Sequence, residues 1–380
     1  MWRGPTATGW LADVDDELNE RVRAASEACD TSVFWHLRRT PAQVLRAVAD
    51  TAEELGLDEW DLYAEKGAVA RIEAEVAELF GKPAAAYFPS GIMAQQAALR
   101  VWCDRTGSKR VAIPDLSHLL KHENDGPRRL HGFEFDHLTE GYRTATADDL
   151  RGLSPGLGAA LIELPLRDAG CLLPSWEALT ALSDAARELG VPLHADGARI
   201  WESQPYWGKE LREIADLVDT MYVSFYKGLE ALAGAALVGP EDVVAEARTW
   251  RRRMGGTLFH LTPYAISGLA GLKERLPRMG EYAAWARSLA AELTQRGLRV
   301  TPDPPHTNTF LLFAEGVREE MVERKIAFME REKIEPCGGW WESRVPGTVM
   351  TEVAVHDAAL LHDPAQVATW IAEVAGVSGS

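Results

Sequence analysis

The chain lacks most of the signals that would assign it quickly. Its 380 residues contain only four cysteines, Cys29, Cys103, Cys171 and Cys337. None forms a CxxC pair, so neither a zinc site nor a disulfide framework is expected, and reduced thiols in a cytoplasmic protein are the simple reading. There is no run long and apolar enough to span a bilayer, and Met1–Thr6 carry no apolar segment of the signal-peptide kind. Basic charge is also scarce. Lys and Arg number 40 against 57 Asp and Glu, a formal net charge of −17. Such a chain repels nucleic acid and anionic membranes, and an anionic small molecule would need a local basic pocket. No GxGxxG or GxxxxGK[ST] loop suggests a nucleotide fold, and His122-Glu123 does not complete an HExxH zinc motif. No metal is expected. Internal repeats and low-complexity tracts are absent as well.

What is present is globular in composition, with 46% hydrophobic and 26% charged residues. The first fifty residues read as helix and irregular arm without a clear strand, with an apolar-periodic helix around Pro41–Leu55. A helix over Val69–Phe80 follows from Val69, Ile72, Val76 and Leu79 at helical spacing, and Gly81-Lys82-Pro83 stops it. Short apolar runs come next: Ala84–Phe88, Arg110–Ile113, Ala159–Leu164, Val191–Ala195, Met221–Phe225 and Gly234–Val238. Runs of this length suit strands buried on both faces. Helical segments such as Ser175–Leu189 lie between several of them. The alternation predicts an α/β fold with a mostly parallel central sheet flanked by helices. After Pro277 a helix over Glu281–Gly297 leads to strand Thr309–Phe313, helix Val317–Glu332, strand Val349–Val355 and helix Pro364–Val374, a smaller C-terminal α+β domain. The expected division is an arm at 1–50, a large α/β domain at 51–270 and a small domain at 271–380.

Four segments carry candidate chemistry. In Pro192-Leu-His-Ala-Asp-Gly-Ala-Arg199 a buried-type strand ends in Asp196. Ligands in open α/β sheets bind beyond the carboxyl ends of strands, where such a carboxylate could pair with a protonated pyridine nitrogen; capping of the next helix is the competing reading. In Tyr222-Val-Ser-Phe-Tyr-Lys-Gly228 an apolar strand runs into Lys227. An unpaired ammonium is costly there, whereas a Schiff-base lysine is useful there; a snorkelling lysine is the alternative. Ser224 is placed to help hold a phosphate. In Tyr87-Phe-Pro-Ser-Gly-Ile-Met-Ala94 a strand gives way to Ser90-Gly91 and a helix, a phosphate-binding arrangement or a plain helix cap. In Asp115-Leu-Ser-His-Leu-Leu-Lys-His-Glu123, His118 follows a strand end and could stack on a ring and move protons, or be a loop histidine. Asp196 and Lys227, one strand–helix–strand unit apart, favour chemistry over the bland readings. Whether Trp201, Tyr206 and Trp207 line a pocket or merely pack stays open.

From about Val69 to Gly256 these segments together resemble the threonine aldolase / β-eliminating lyase family of fold-type-I pyridoxal-phosphate (PLP) enzymes. The similarity is strongest in AELFGKPAAAYFPSGIMAQQAAL, VPLHADGARIWES and VSFYKGLEALAGAALVG, with TNTF at Thr307–Phe310 in the C-terminal part. The resemblance implies PLP bound through Lys227, with Asp196 on the ring nitrogen and His118 stacked on the ring. It implies a phosphate cup begun by Ser90, Gly91 and Ile92, and Arg199 beside the ring oxygen and the substrate carboxylate. The implied activity is cleavage of a β-hydroxy-α-amino acid to glycine and an aldehyde, in a homodimer or homotetramer with shared active sites. Departures from the family pattern are visible. Ile92 stands where the family has Thr, and Glu163-Leu-Pro-Leu-Arg167 replaces a Glu-Asn-Thr-His-Asn stretch, which removes a histidine and adds Arg167 as a second carboxylate-binding candidate. Glu352 falls where the family has an Arg, and Leu258-Phe259-His260 follows Gly255-Gly256 without the family's Arg. PLP-dependent β-elimination on another amino acid, and a non-catalytic PLP-fold binding protein, are the alternatives.

Overall fold

A computed structural model describes residues 16–34, 36–153 and 155–377; the expected arm's first fifteen residues lie outside them. The described residues divide into two compact units, one of residues 42–278 and one of residues 16–41 with 279–377.

The larger unit is built on a seven-stranded sheet. Its strands are β1 (Ala84–Phe88), β2 (Arg110–Pro114), β3 (Glu134–Thr139), β4 (Ala159–Glu163), β5 (Leu193–Gly197), β6 (Thr220–Ser224) and β7 (Ala235–Gly239). Their order is β1-β7-β6-β5-β4-β2-β3. The pairs from β3 through β2, β4 and β5 to β6 are parallel, and β7 runs antiparallel to both β6 and β1. Strands β4 to β7 are buried along their whole length, as their continuous apolar runs require. Strand β3 has no counterpart among the expected strands. It is an edge strand reading Glu-Phe-Asp-His-Leu-Thr, with no apolar run to betray it.

The helix Gly91–Thr106 packs on this sheet through small residues. Ala94, Ala97, Ala98 and Val101 meet Ala86, Phe88, Tyr222, Ala235 and Leu237, together with Val243, Val244 and Ala247 of the helix Glu241–Arg253. Alanine at these places lets the helix axis come close to the sheet. The expected helix over Val69–Phe80 spans Gly67–Leu79, and Ser175 caps the helix Trp176–Leu189 by accepting from the Ala178 N–H at 3.2 Å. Several strands shift by a residue or two from their expected limits, and two of these shifts bear on the candidate chemistry. β5 extends to Gly197, taking Asp196 into the sheet, and β6 stops at Ser224, so Lys227 lies beyond a short turn rather than on the strand.

The smaller unit holds a four-stranded antiparallel sheet of Trp341–Glu342, Thr348–Ala354, Thr309–Glu315 and Arg299–Thr301. Helices Met279–Gln295, Arg318–Glu332 and Pro364–Ala375 belong to the same unit. The expectation of no strand in the first fifty residues is corrected: Thr31–Ser32 pairs in parallel with Ile334–Glu335. Two residues are too short for an alternating pattern. Lys325, 2% exposed, lies under this pair and donates to Glu335 at 2.9 Å.

Candidate active site

The order of the large sheet reverses between β2 and β4. After β2 the chain moves outward to β3, then returns to β4 and continues through β5 to β6. A crevice forms where successive connections leave in opposite directions, beyond the carboxyl ends of the strands. Three expected or unexpected polar residues stand there. His118 opens a short helix after β2, Glu163 ends β4, and Asp196 lies near the end of β5 directly opposite Glu163 in the strand register. The His118 N–H donates to Glu163 Oε1 at 2.5 Å, which ties the β2 turn to β4. Burial, and then the neighbouring Asp196 carboxylate, push the Glu163 carboxyl well above the usual range.

Asp196 is held from both sides. Its Oδ1 accepts from the Ala198 N–H at 2.9 Å and its Oδ2 from Gln95 Nε2 at 2.8 Å. Gln95 lies one turn into the helix that starts at Gly91, so one helix supplies both a free N-terminus and the clamp on Asp196. Ser90 takes the position before that helix with extended backbone and makes no capping hydrogen bond. The N–H groups of Gly91, Ile92 and Met93 therefore face outward from the first turn. A Cβ at Gly91 would collide with the Tyr222 phenol. Glycine is required there because β6 comes too close for any side chain. Tyr222 is itself opposite Asp196 in the register, and burial raises its phenol well above its ordinary range.

Lys227 and Arg199 approach from the next elements. Lys227-Gly228 follows β6, and a Cβ at Gly228 would collide with the Glu202 carboxyl. Glu202 lies in the first turn of the helix Ile200–Trp207, which Arg199 directly precedes. Burial raises the Glu202 carboxyl, opposed by the nearby Arg199 and Lys227 cations. Arg199 is itself buried, and Ser224 is fully so. Trp201 settles one open question: it has no exposure, donates to the Ser224 carbonyl at 2.7 Å and packs between Phe80 and Phe225, so it is core. Trp207 is half-buried and donates to the Pro174 carbonyl at 2.9 Å, and Tyr206 packs beside it.

On the other side of the crevice, His118 Nδ1 pairs with Glu123 at 2.9 Å. His122 packs against His118 with ring centroids 4.8 Å apart, and its Nε2 lies 3.2 and 3.1 Å from the two oxygens of Asp168. Arg167, in the same turn as Asp168, lies 3.4 Å from it. Burial works against an ionised Asp168, but His122, Arg167 and His118 outweigh it and the carboxyl falls below its usual range. Glu352, by contrast, belongs to the sheet of the smaller unit, opposite Leu311.

The large unit thus brings Ser90, Gly91, Ile92, His118, Asp196, Arg199, Ser224 and Lys227 around one end of one sheet, with Arg167 reached through Asp168. Gln95, Glu163, Glu202, Tyr222 and the His122–Asp168 pair complete the site without having been singled out from sequence. Gln95 could have been found as a polar residue four after Gly91 in an alanine-rich helix, and Glu163 as a charge closing an apolar strand. A pyridine phosphate fits these residues. The Asp196 carboxylate, oriented by two donors, retains lone pairs for a ring N–H, and Gln95 Oε1 is buried without a partner. The helix N-terminus with its uncommitted serine cap suits a phosphate.

Residues 40–316 match the model of the beta-eliminating lyase family. Low-specificity L-threonine aldolase 1 of Arabidopsis thaliana is 28% identical over 275 residues, covering 67% of this chain and 76% of that protein. Low specificity L-threonine aldolase of Escherichia coli K12 is 29% identical over 249 residues, covering 63% of this chain and 73% of the relative. The crystal structure of a candidate L-allo-threonine aldolase from Listeria monocytogenes EGD-E superposes with a TM-score of 0.87 at 32% identity, over 94% of this chain and 98% of that one.

Proposed function

The chain belongs to the beta-eliminating lyase family, and from that premise we infer that it is a PLP-dependent lyase that cleaves a β-hydroxy-α-amino acid to glycine and an aldehyde. One observation carries the reading beyond family membership: a single helix presents its N-terminus for a phosphate and, through Gln95, fixes the Asp196 carboxylate where a ring nitrogen would meet it.

Bound PLP supplies an electron sink for the pair released at Cα. Each residue then has a physical task. Lys227 would hold the cofactor covalently through Nζ, and as a free amine it would move a proton at Cα. Asp196 keeps a proton on the ring nitrogen, and Gln95 and the Ala198 N–H keep Asp196 oriented. Ser90, the N–H groups of Gly91 and Ile92, and Ser224 bind the phosphate; Ile92 contributes backbone only, since its side chain has no hydroxyl. His118 forms one wall of the ring site. Arg199, and Arg167 from the turn after β4, take the substrate carboxylate through their planar forks.

The sequence resemblance supports a homodimer or homotetramer, and the exposed Trp60, Leu62, Tyr63 and Phe259 on the large unit give an apolar patch suited to such contacts. Four buried free thiols suit the cytoplasm. Light scattering after size exclusion tests the assembly. The activity is tested by incubating the protein and PLP with L-threonine, L-allo-threonine and phenylserine and measuring aldehyde and glycine together. Equimolar products are expected. A keto acid and ammonia without aldehyde would replace the reading by β-elimination.

A further inference from the structure

A phosphate group accepts more hydrogen bonds than one helix terminus supplies. Ile92 brings no hydroxyl to the first turn of the helix Gly91–Thr106. We propose that the Tyr222 hydroxyl completes the phosphate site as a direct ligand, an inference that rests on the PLP reading above.

The position of that hydroxyl follows from the packing of β6 on the helix. The Tyr222 side chain belongs to the cluster that holds Ala94, Ala97 and Ala98 of the helix, and the residue is only 2% exposed. Its hydroxyl oxygen is the nearest of all atoms to the place that a Gly91 Cβ would take. The phenol therefore ends at the first residue of the helix, where Ser90 makes no capping hydrogen bond and the leading N–H groups have no acceptor within the helix. Glycine at 91 serves two ends: it offers its N–H, and it leaves room for the phenol.

Further hydroxyls gather beside it. Ser224 is two residues on along the same face of β6, fully buried, with its Oγ unpartnered. Burial, and then the Tyr226 phenol and the Asp196 carboxylate, raise the Tyr222 phenol well above its ordinary range, while the Ser224 hydroxyl acts in the other direction. The phenol stays protonated at neutral pH and can donate. Another buried tyrosine of the same unit spends its hydroxyl on the backbone, Tyr87 donating to the Ala233 carbonyl at 3.1 Å. Tyr222 instead faces a helix start. It is also opposite Asp196 in the strand register, so one strand pair carries the acceptor for a ring N–H and a donor for the phosphate.

The test compares PLP with pyridoxal, which keeps the ring nitrogen and the aldehyde but has no phosphate. Both are titrated into the cofactor-free protein, and binding is followed by tryptophan fluorescence and by the ligand's absorbance. Tyr222→Phe keeps the ring against its alanines and removes one oxygen. It should raise the Kd for PLP by about 10–100-fold and leave the Kd for pyridoxal unchanged. Inorganic phosphate should raise the thermal midpoint of the cofactor-free wild type, and raise it less in Tyr222→Phe. A variant that binds PLP as tightly as wild type overturns the proposal alone. Equal weakening for PLP and pyridoxal also overturns it, by making the hydroxyl a structural part of the site. A wild type that binds neither ligand removes the PLP reading, and the proposal with it.

Discussion

Replacing His194 by Gln should flatten the acid limb of the protein's stability. His194 lies on β5, two residues before Asp196 and on the same face of the strand. It is fully buried, with Nδ1 2.9 Å from Thr220 Oγ1 on β6. Burial pushes its imidazole down to about 3. An unfolded chain binds the same proton near the ordinary histidine value of about 6.5. Above that value neither state is protonated at this site, and the full stability is present. As pH falls, the unfolded state gains a proton that the folded state refuses, and stability drops by about 1.4 kcal/mol per pH unit. At pH 4.5 the loss amounts to about 2–3 kcal/mol, a large part of an ordinary domain's 5–15 kcal/mol or so. Urea unfolding of the wild type and His194→Gln at a series of pH values from about 7.5 to 4.5 separates this from the carboxylate contributions, which are common to both chains. The wild-type curve should fall away from that of the variant below about pH 6.5. Two curves that stay parallel throughout would refute the assignment of a neutral, buried His194.

Other changes test other parts of the account. Gly91→Ala forces a methyl into the Tyr222 phenol and should abolish PLP binding, read from the cofactor's absorbance on the protein after gel filtration. Glu163→Gln retains an acceptor for the His118 N–H. Because the Glu163 carboxyl is raised, its contribution is present at low pH and lost as pH rises, so the variant should gain stability over wild type with increasing pH in the same unfolding series. Lys325→Ala leaves the Glu335 carboxylate without its ammonium and should cost about 3–5 kcal/mol in thermal or urea unfolding.

Much of this architecture is legible in the chain because buried parallel strands must be continuously apolar. Ala84–Phe88 and the helix Pro41–Leu55 fall where their patterns place them. Strand β3 escapes because an edge strand with polar residues has no such run. The Thr31–Ser32 pairing escapes because its partner is some three hundred residues away and the contact is two residues long. The residues proposed to hold the cofactor are readable because each ends or follows a strand, several with a glycine or helix start beside them. Their supports are not. Gln95 looks like any polar helix residue until the sheet brings Asp196 to it, and His122 looks like a failed metal motif until the turn after β4 presents Asp168. Register and crossover order decide those encounters, and neither is written in local pattern.

The most direct measurement is reduction of the PLP-loaded protein with borohydride, followed by proteolysis and mass spectrometry of the peptides. A pyridoxyl group is expected on Lys227 and, in Asp196→Ala, the same attachment with cleavage and glycine α-proton exchange both lost. A label on another lysine, or none, would contradict the placement of the cofactor at the ends of β5 and β6, and with it the function drawn from that placement.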